Sequence, residues 1–287
     1  MKPKFLILIG LLSFTLACKQ KEENHGINII FLHHSTGEVI WNGKPVPLII
    51  KAIKKVSDKL ADFVNFEAQL PLLFEEYNKI NNSNYNVEEM IFPKASPYGW
   101  NNYPFDYYNI WVKNAGDSSF MDEPTLEMLT EKYQVVIFNH CFPVSNINAD
   151  SDTADIDSDL KTTSNYMLQY EALKTKLLQF PETKFILFTG AAQVKANIDE
   201  DKAKRAADFF SWVREEWDQP DDNIYIWDLY SLQTEGGLYF KDEYAVSEKD
   251  SHPNGEFAGR VVKLLFSRII DVITNNGKST NQKGEPL

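Results

Sequence analysis

The chain has 287 residues and a formal net charge of −12, with 43% hydrophobic and 13% aromatic residues. So acidic a surface repels nucleic acid, which excludes the DNA-binding and RNA-binding classes of protein. The only cysteines are Cys18 and Cys141, so an apolar core rather than a disulfide framework must stabilise the fold. The composition can supply such a core, and the length suits one large α/β domain.

The N-terminal segment has the composition of an export signal rather than of a folded element. Lys2 and Lys4 precede an apolar run over residues 5–16, which is too short for a convincing membrane span. The run ends in the sequence TLAC, in which the junction of Ala17 and Cys18 resembles a bacterial lipobox. The alternative is an ordinary signal peptide that is cleaved near Ala17.

This resemblance implies an exported lipoprotein. We expect residues 1–17 to be the signal peptide, Cys18 to be the acylated residue, and residues 18–26 to be a solvated tether. The acyl group at Cys18 would be the membrane contact. The charged stretch KQKEEN directly behind Cys18 resembles the surface-export signal of some Gram-negative lipoproteins. The predicted location is therefore the outer membrane or the cell surface.

Strand and helix patterns alternate along the rest of the chain. Five apolar runs predict buried parallel strands: Ile27–His33, Val87–Phe92, Gln134–Asn139, Lys184–Thr189 and Asn223–Leu229. Amphipathic patterns predict helices at Val46–Val64, Leu70–Ile80, Pro124–Tyr133, Tyr166–Phe180, Asp201–Trp217 and Gly255–Asn275. Alternation of this kind predicts a three-layer α/β/α domain with a doubly wound, mainly parallel sheet over residues 27–275. Residues 276–287 are predicted to be a polar, disordered tail.

In such a sheet the functional loops lie at the carboxyl ends of the strands. The first predicted strand ends in the sequence FLHHSTG, residues 31–37. Ser35 at this exit is well placed for a nucleophile, because the turn exposes its hydroxyl and backbone amides nearby can face an oxyanion. The alternative role for Ser35 is the N-cap of a helix that follows the strand.

A second block, DSHPN at residues 250–254, directly precedes the last predicted helix. Together with Ser35 it resembles the SGNH/GDSL hydrolases, which carry a Gly-Asp-Ser motif after the first strand and an Asp-x-x-His loop before the last helix. The resemblance implies that His252 is the catalytic base. Lys249 occupies the usual position of the acid, so we assign that role to Asp250, with Glu248 as the rival. Asp250 is an equally good candidate for the cap of the last helix.

The resemblance also implies an oxyanion hole built from a glycine after the second strand and an asparagine after the third. Gly116, in the sequence NAGDS, is the candidate glycine, and Gly99 is its rival. Asn139 at the exit of the third strand is the candidate amide. A turn glycine and a strand-capping amide are the structural alternatives for these residues.

We predict that His34, His140 and Trp100 border the same pocket. Adjacent histidines on a strand point to opposite faces, so His33 and His34 rarely reach one ion, and no second ligand pair stands at metal-binding spacing. The sequence therefore predicts neither a catalytic metal nor a cofactor. The acidic segment Ala149–Asp159 lacks the glycine and terminal glutamate of an EF-hand, which favours a solvated loop over a calcium site.

The reaction implied by the resemblance is hydrolysis of an acyl ester through an acyl-enzyme. An exported protein meets glycans, and the aromatic segment Pro93–Trp111 either stacks sugar rings or covers the sheet. An acylated carbohydrate, carrying acetyl or similar esters, is therefore the expected substrate. The alternatives are a non-catalytic carbohydrate-binding or envelope protein on the same scaffold, and an O-acyltransferase.

Overall fold

A computed structural model describes residues 26–47, 67–99, 101–150 and 153–287. The predicted signal peptide, Cys18, most of the tether, most of the predicted helix Val46–Val64 and Trp100 lie outside these ranges. Among the described residues, none of the helices is long and apolar enough to cross a bilayer.

The central element is a five-stranded parallel sheet with strand order β2-β1-β3-β4-β5. Its strands are β1 (Ile27–His33), β2 (Tyr85–Ile91), β3 (Val135–Phe138), β4 (Lys184–Phe188) and β5 (Ile224–Trp227). A short antiparallel hairpin follows, formed by β6 (Ala245–Ser247) and β7 (Asp250–Pro253). Each of the five predicted strands is present within two residues of its predicted ends.

The apolar runs became strands because they are buried on both faces. Ile29, Ile30, Phe31 and Leu32 of β1 are each at most 1% exposed, and the sequence shows no alternation there because both sides pack against helices. Burying each such side chain contributes about 1.5–3 kcal/mol. Strand β2 is the exception: it lies at the edge of the sheet, and none of its residues is fully buried. Strand β1 lies inside the sheet, paired with β2 on one side and β3 on the other, and this pairing holds the start of the loop that follows it.

Helices cover both faces of the sheet, which confirms the three-layer α/β/α prediction. The described helices are α1 (Ser35–Asn42), α2 (Gln69–Asn81), α3 (Pro104–Tyr107), α4 (Leu126–Lys132), α5 (Thr163–Leu177), α6 (Glu200–Trp212), α7 (Leu229–Thr234) and α8 (Gly255–Asn275). Helices α1, α2 and α8 pack together as one layer. On the other layer, α5 packs against α3 and the π-helical turn Tyr108–Lys113 that continues it.

The tight junction between β1 and α1 depends on Gly37. A Cβ atom at this position would lie 2.3 Å from Cβ of His33, which is too close for two carbon atoms. The backbone at one of the two positions would have to move to relieve the clash. Glycine therefore lets α1 turn back closely over the end of β1. This close approach places Ser35, the first residue of α1, directly at the edge of the sheet.

Helix α1 was not predicted, because its side chains show no polar face. Most of its residues are buried, so the amphipathic period that marks a surface helix is absent. The same reason applies to α3 and its π-helical continuation, where Tyr107, Ile110 and Trp111 are fully buried. A helix that is buried on all sides has no polar face, so its sequence lacks the amphipathic pattern from which helices are predicted.

The predicted disorder of residues 276–287 is wrong. Asp271 of α8 accepts hydrogen bonds of 2.6–3.1 Å from the amides of Ser279 and Thr280 and from the hydroxyl of Thr280. Arg268 donates to the carbonyls of Gly277 and Thr280. Arg268 and Asp271 are each 5% exposed, so the polar tail satisfies charged groups that would otherwise be buried without partners.

Candidate active site

Ser35 lies at the point where the order of the sheet reverses. Strands β1 and β3 are neighbours, although β2 separates them in sequence, so their carboxyl ends open on one crevice. The exit of β1 supplies Ser35 and the exit of β3 supplies Cys141, and Ser35 Oγ lies 3.4 Å from Cys141 Sγ. Thr36 Oγ1 lies 3.2 Å from the same sulfur atom. The topology therefore brings this serine into the crevice in which α/β proteins of this kind bind ligands.

A histidine and a carboxylate complete a chain of hydrogen bonds with Ser35. Ser35 Oγ lies 2.8 Å from Nε2 of His252, although the residues are 217 positions apart in sequence. His252 Nδ1 lies 2.6 Å from Oδ1 of Asp250. With the proton of the neutral ring on Nδ1, facing the carboxylate, Nε2 is left to accept the serine hydroxyl proton. This is the geometry of a serine–histidine–aspartate triad.

The local backbone explains why the carboxylate is two residues before the histidine. Asp250 and His252 both belong to strand β7, in which alternate residues share a face. Asp250 therefore lies beside the His252 ring and also accepts the His252 amide at 3.0 Å. Glu248 lies in the exposed turn between β6 and β7. Asn254, rather than Asp250, caps α8 by accepting the amide of Phe257.

The opposite face of β7 anchors the hairpin to the body of the domain. Ser251 is 1% exposed, and its hydroxyl accepts hydrogen bonds from the Val194 amide and from Asn197 Nδ2. Asn197 also donates to the carbonyl of Lys249. The Phe142 ring meets the His252 ring edge to face, with centroids 5.1 Å apart. The imidazole is thus held by the carboxylate on one side and by an aromatic ring on another.

A cavity of about 120 Å3 opens beside Ser35. Its lining residues are His34, Ser35, Asn101, Asn102, Tyr103, Cys141, Phe142, Pro143 and Lys161. Sequence reasoning found His34 and Ser35 but missed the others. Cys141, Phe142 and Pro143 follow the third predicted strand, so the rule that functional loops lie at the carboxyl ends of strands points to them. No sequence motif pointed to Lys161, because it reaches the cavity from a loop that is distant in sequence from Ser35 and from His252.

The three histidines near this loop have different environments. His34 lines the cavity and its Nε2 donates to the carbonyl of Pro93 at 2.7 Å, while burial lowers its pKa and favours the neutral ring. His33 lies beneath α1 and its Nε2 is 2.9 Å from Glu89. His140 is fully buried against Tyr107 and Tyr170, and burial lowers its pKa to about 3. The prediction that His140 borders the pocket is therefore corrected: it belongs to the core.

The predicted oxyanion residues do not reach the cavity. The amide of Gly116 donates to Glu127, and the amide of Gly99 donates to the carbonyl of Lys94. The side chain of Asn139 is fully buried, and neither of its polar atoms has a hydrogen-bond partner among the described residues. The assignments of Gly116 and Asn139 to the oxyanion hole are therefore corrected.

Two other groups of the cavity can donate to an oxyanion. The amide of Ser35 belongs to the first residue of α1, where helical amides have no acceptor within the helix. Asn101 lines the cavity with an exposed side-chain amide. Asn102 has a supporting role instead: its Oδ1 accepts the Cys141 amide at 2.6 Å, and its Nδ2 donates to the Phe92 carbonyl and the Tyr107 hydroxyl.

The aromatic segment mostly covers the sheet. Tyr107 and Trp111 are fully buried and pack on Phe138 of β3, which leaves neither ring free to stack on a sugar. Tyr103 is also buried, at 6% exposed, but it lines the cavity. Of the two functions considered for this segment, covering the sheet applies to most of the described rings.

The acidic segment is held by contacts within the protein. Asp157 pairs with Lys113 at 2.8 Å and accepts the hydroxyl of Tyr108, and Asp150 accepts the amide of Ser164. Within the described ranges, no cluster of three or more His, Cys, Asp or Glu side chains is arranged to hold a metal ion.

A larger cavity, of about 710 Å3, lies at the opposite edge of the sheet, beside the start of β5. Its cations already have internal partners. Lys184 Nζ lies 2.6 Å from both the Val272 carbonyl and Asn276 Oδ1, and Arg268 donates to the Ile226 carbonyl. The larger cavity contains none of the triad, so its size does not make it the better candidate for the active site.

No protein-family model matches this chain, and no curated protein sequence matches it. One solved structure aligns with 85% of the chain at 13% sequence identity and a TM-score of 0.36. It is a carbohydrate esterase whose active site displays divergent catalytic and non-catalytic binding functions. The chain spans 65% of the length of that esterase. At this level of similarity, the function must be argued from the geometry of the site.

The arrangement provides the groups required for acyl transfer. The Ser35 hydroxyl contacts the His252 imidazole, the imidazole contacts a carboxylate, and the hydroxyl opens on a cavity with amide donors. A reacting carbonyl carbon can approach Ser35 Oγ while the proton passes to His252 Nε2. No group in this sequence of contacts requires a cofactor to perform its role.

Proposed function

We propose that this protein is an SGNH-type serine esterase that removes acetyl or similarly small acyl groups from a carbohydrate. The observation that carries the proposal is the continuous hydrogen-bonded chain from Ser35 through His252 to Asp250 at the mouth of a cavity. A hydrogen bond between nucleophile and base, with the base oriented by a third group, is the signature of nucleophilic catalysis.

In the proposed reaction Ser35 Oγ attacks the ester carbonyl while His252 Nε2 takes the hydroxyl proton. The resulting imidazolium is stabilised by Asp250, and the oxyanion faces the Ser35 amide at the start of α1. Collapse of the intermediate expels the sugar alkoxide, which receives the proton from His252. A water molecule then loses a proton to His252 and attacks the acyl-enzyme, which releases the carboxylic acid and restores Ser35.

The size of the cavity supports a small acyl group. A volume of about 120 Å3 is well below the roughly 300 Å3 at which pockets for drug-sized ligands begin. Cys141, Phe142 and Pro143 form one wall of this space, and Asn102 fixes the Cys141 backbone through its amide. An acetyl group fits such a space, whereas a long acyl chain would need the wall to move.

Turnover of 4-nitrophenyl esters tests this proposal. We expect kcat/KM to fall at least about tenfold from acetate to octanoate, because a single clash of one or two methylene groups already costs 1–3 kcal/mol. The Ser35→Ala variant serves as the control for background hydrolysis. An enzyme that prefers octanoate would contradict the small-acyl proposal, and turnover that persists in Ser35→Ala would contradict the esterase proposal itself.

One observation favours a second candidate, a carbohydrate-binding protein without turnover. Gly116 and Asn139, the residues expected to donate to an oxyanion, have their amide or side chain directed elsewhere. A site that holds its serine in place but has no effective donor for the oxyanion would bind the acylated sugar without hydrolysing its ester. Binding of a glycan to folded protein that cleaves no ester would support this candidate.

We also propose that the protein is an exported lipoprotein anchored through Cys18. The support is the sequence of residues 1–18, with its basic start, apolar run and Ala17-Cys18 junction. A Cys18→Ser variant is expected to leave the membrane fraction after expression in a bacterial host. A variant that remains membrane-bound and lipid-labelled would contradict the proposal.

A further inference from the structure

Lys161 is a cation that lines the same cavity as Ser35. Its backbone is fixed on both sides. The Lys161 carbonyl accepts the amide of Asn148 at 2.7 Å, and the next residue, Thr162, caps helix α5 by accepting the amide of Asn165. The lysine is therefore presented to the cavity from an ordered junction rather than from a free loop.

The ammonium group of Lys161 is positioned by neutral groups. Its Nζ lies 3.3 Å from the carbonyl of Pro143 and 4.4 Å from the centroid of the Tyr103 ring, and both of these residues also line the cavity. It forms no ion pair within 4.0 Å with any carboxylate that the structure describes. A partly buried ammonium held by one carbonyl and one aromatic face retains the capacity to bind an anion.

The nearby carboxyl group of Asp106 does not form an ion pair with this ammonium. Asp106 accepts the amide of Tyr103, and burial raises its pKa to about 6, so its charge is itself disfavoured. Burial also lowers the pKa of Lys161, an effect that Asp106 opposes. An anion entering the cavity would supply the counter-charge that the ammonium lacks at short range.

We propose that Lys161 selects substrates that carry a carboxylate close to the scissile ester, so that the sugar is an acylated uronic acid rather than a neutral sugar. The inference rests on the proposed esterase function and names the class of its substrate. The protein carries a net charge of −12 and repels an acidic glycan at long range, so binding of such a glycan requires a cation in the site itself. A lysine is a compact point charge, which suits a single carboxylate.

The test compares two ligands that differ only in charge: a monoacetylated methyl galacturonoside and the corresponding uronamide. Wild-type protein is expected to prefer the uronate by about tenfold or more in kcat/KM, the size of one hydrogen bond to a charged group, with most of the difference in KM. In Lys161→Gln this ratio is expected to fall to near one, and in Lys161→Arg most of it should remain.

Lys278→Gln is the matched control for removal of one positive charge. Lys278 lies at the opposite edge of the sheet and is largely exposed, and its Nζ is 3.4 Å from a carboxylate oxygen of Asp221. The ratio should stay at the wild-type value in this variant. Thermal unfolding of all variants establishes that each is folded at the assay temperature.

Two outcomes of the comparison between the uronate and the uronamide would overturn the inference. One is a wild-type ratio near one. The other is an equal loss on uronate and uronamide in Lys161→Gln, which would assign Lys161 to the oxyanion or to the cavity wall. If folded wild-type protein cleaves 4-nitrophenyl acetate but neither sugar ester, the inference fails while the esterase proposal stands. If it cleaves none of the three esters, the esterase proposal fails, and the inference is then decided by binding of the deacetylated ligands. Tighter binding of the uronate that is lost in Lys161→Gln would support it, and equal binding would refute it.

Discussion

Ser35→Ala and His252→Ala are each expected to lower kcat/KM for an acetyl ester by about 10^4-fold or more. The two side chains form one catalytic unit through a 2.8 Å hydrogen bond, so a serine without its base is not activated and a base without its serine has no proton to take. The double variant is therefore expected to be nearly as active as either single variant, because losses within one catalytic unit are not additive. Steady-state kinetics of the four proteins measure this coupling.

The matched control is Ser211→Ala. Ser211 lies on α6, where its hydroxyl donates to Glu215, and it is not among the residues that line the candidate site. Its removal should leave kcat/KM at the wild-type value. Losses that multiply in the double variant would show that Ser35 and His252 act independently, which would contradict the triad.

Asp250→Asn is expected to lower kcat by about 10^2-fold or more without unfolding the protein. An asparagine in this position can hold the wrong tautomer of His252 and cannot stabilise its imidazolium. The Asp250 side chain is 43% exposed, so solvent screens its charge and the loss should be smaller than the roughly 10^4-fold loss known for a buried triad aspartate. Comparison of kcat with a thermal unfolding curve separates the chemical effect from a structural one.

Glu248→Gln supplies the comparison for Asp250→Asn, because it removes one negative charge two residues away in the exposed turn of the same hairpin. We expect its kcat to be near normal. A large loss in Glu248→Gln together with normal activity in Asp250→Asn would show that Glu248, and not Asp250, orients His252. Normal activity in both variants would show that Ser35 and His252 act as a dyad.

Much of the fold could be predicted from the sequence because the sheet is enclosed. Strand β1 is a continuous apolar run, and the helix after His252 has the same bounds in the prediction and in the structure. The sequence predicts that Ser35 and the loop at Cys141 each follow a strand. Strands β1 and β3 are neighbours in the sheet although β2 lies between them along the chain, and this pairing is visible only in the structure. The sequence could not say that Ser35 and Cys141 touch.

The triad carboxylate, the oxyanion donors and the cation of the cavity are set by contacts between distant residues, which hydrophobic patterns and short motifs do not record. The position of Asp250 follows from the strand conformation of β7, and residues 245–253 showed no strand pattern because the hairpin is short and polar. Gly116 and Asn139 were assigned by the order of blocks along the chain, but the Gly116 amide is occupied by Glu127 and Asn139 is enclosed. Lys161 enters the cavity because α5 begins beside it, which no local motif records.

The proposed function depends most on Ser35 being an activated nucleophile, and labelling with a fluorophosphonate probe followed by peptide mass spectrometry tests this directly. The probe forms a stable bond to a serine whose hydroxyl is activated by a base. We expect one phosphonyl group on Ser35 of the wild-type protein and far slower labelling of His252→Ala. Folded wild-type protein that remains unlabelled at Ser35, or that is labelled there at the same rate with and without His252, would contradict the proposed function.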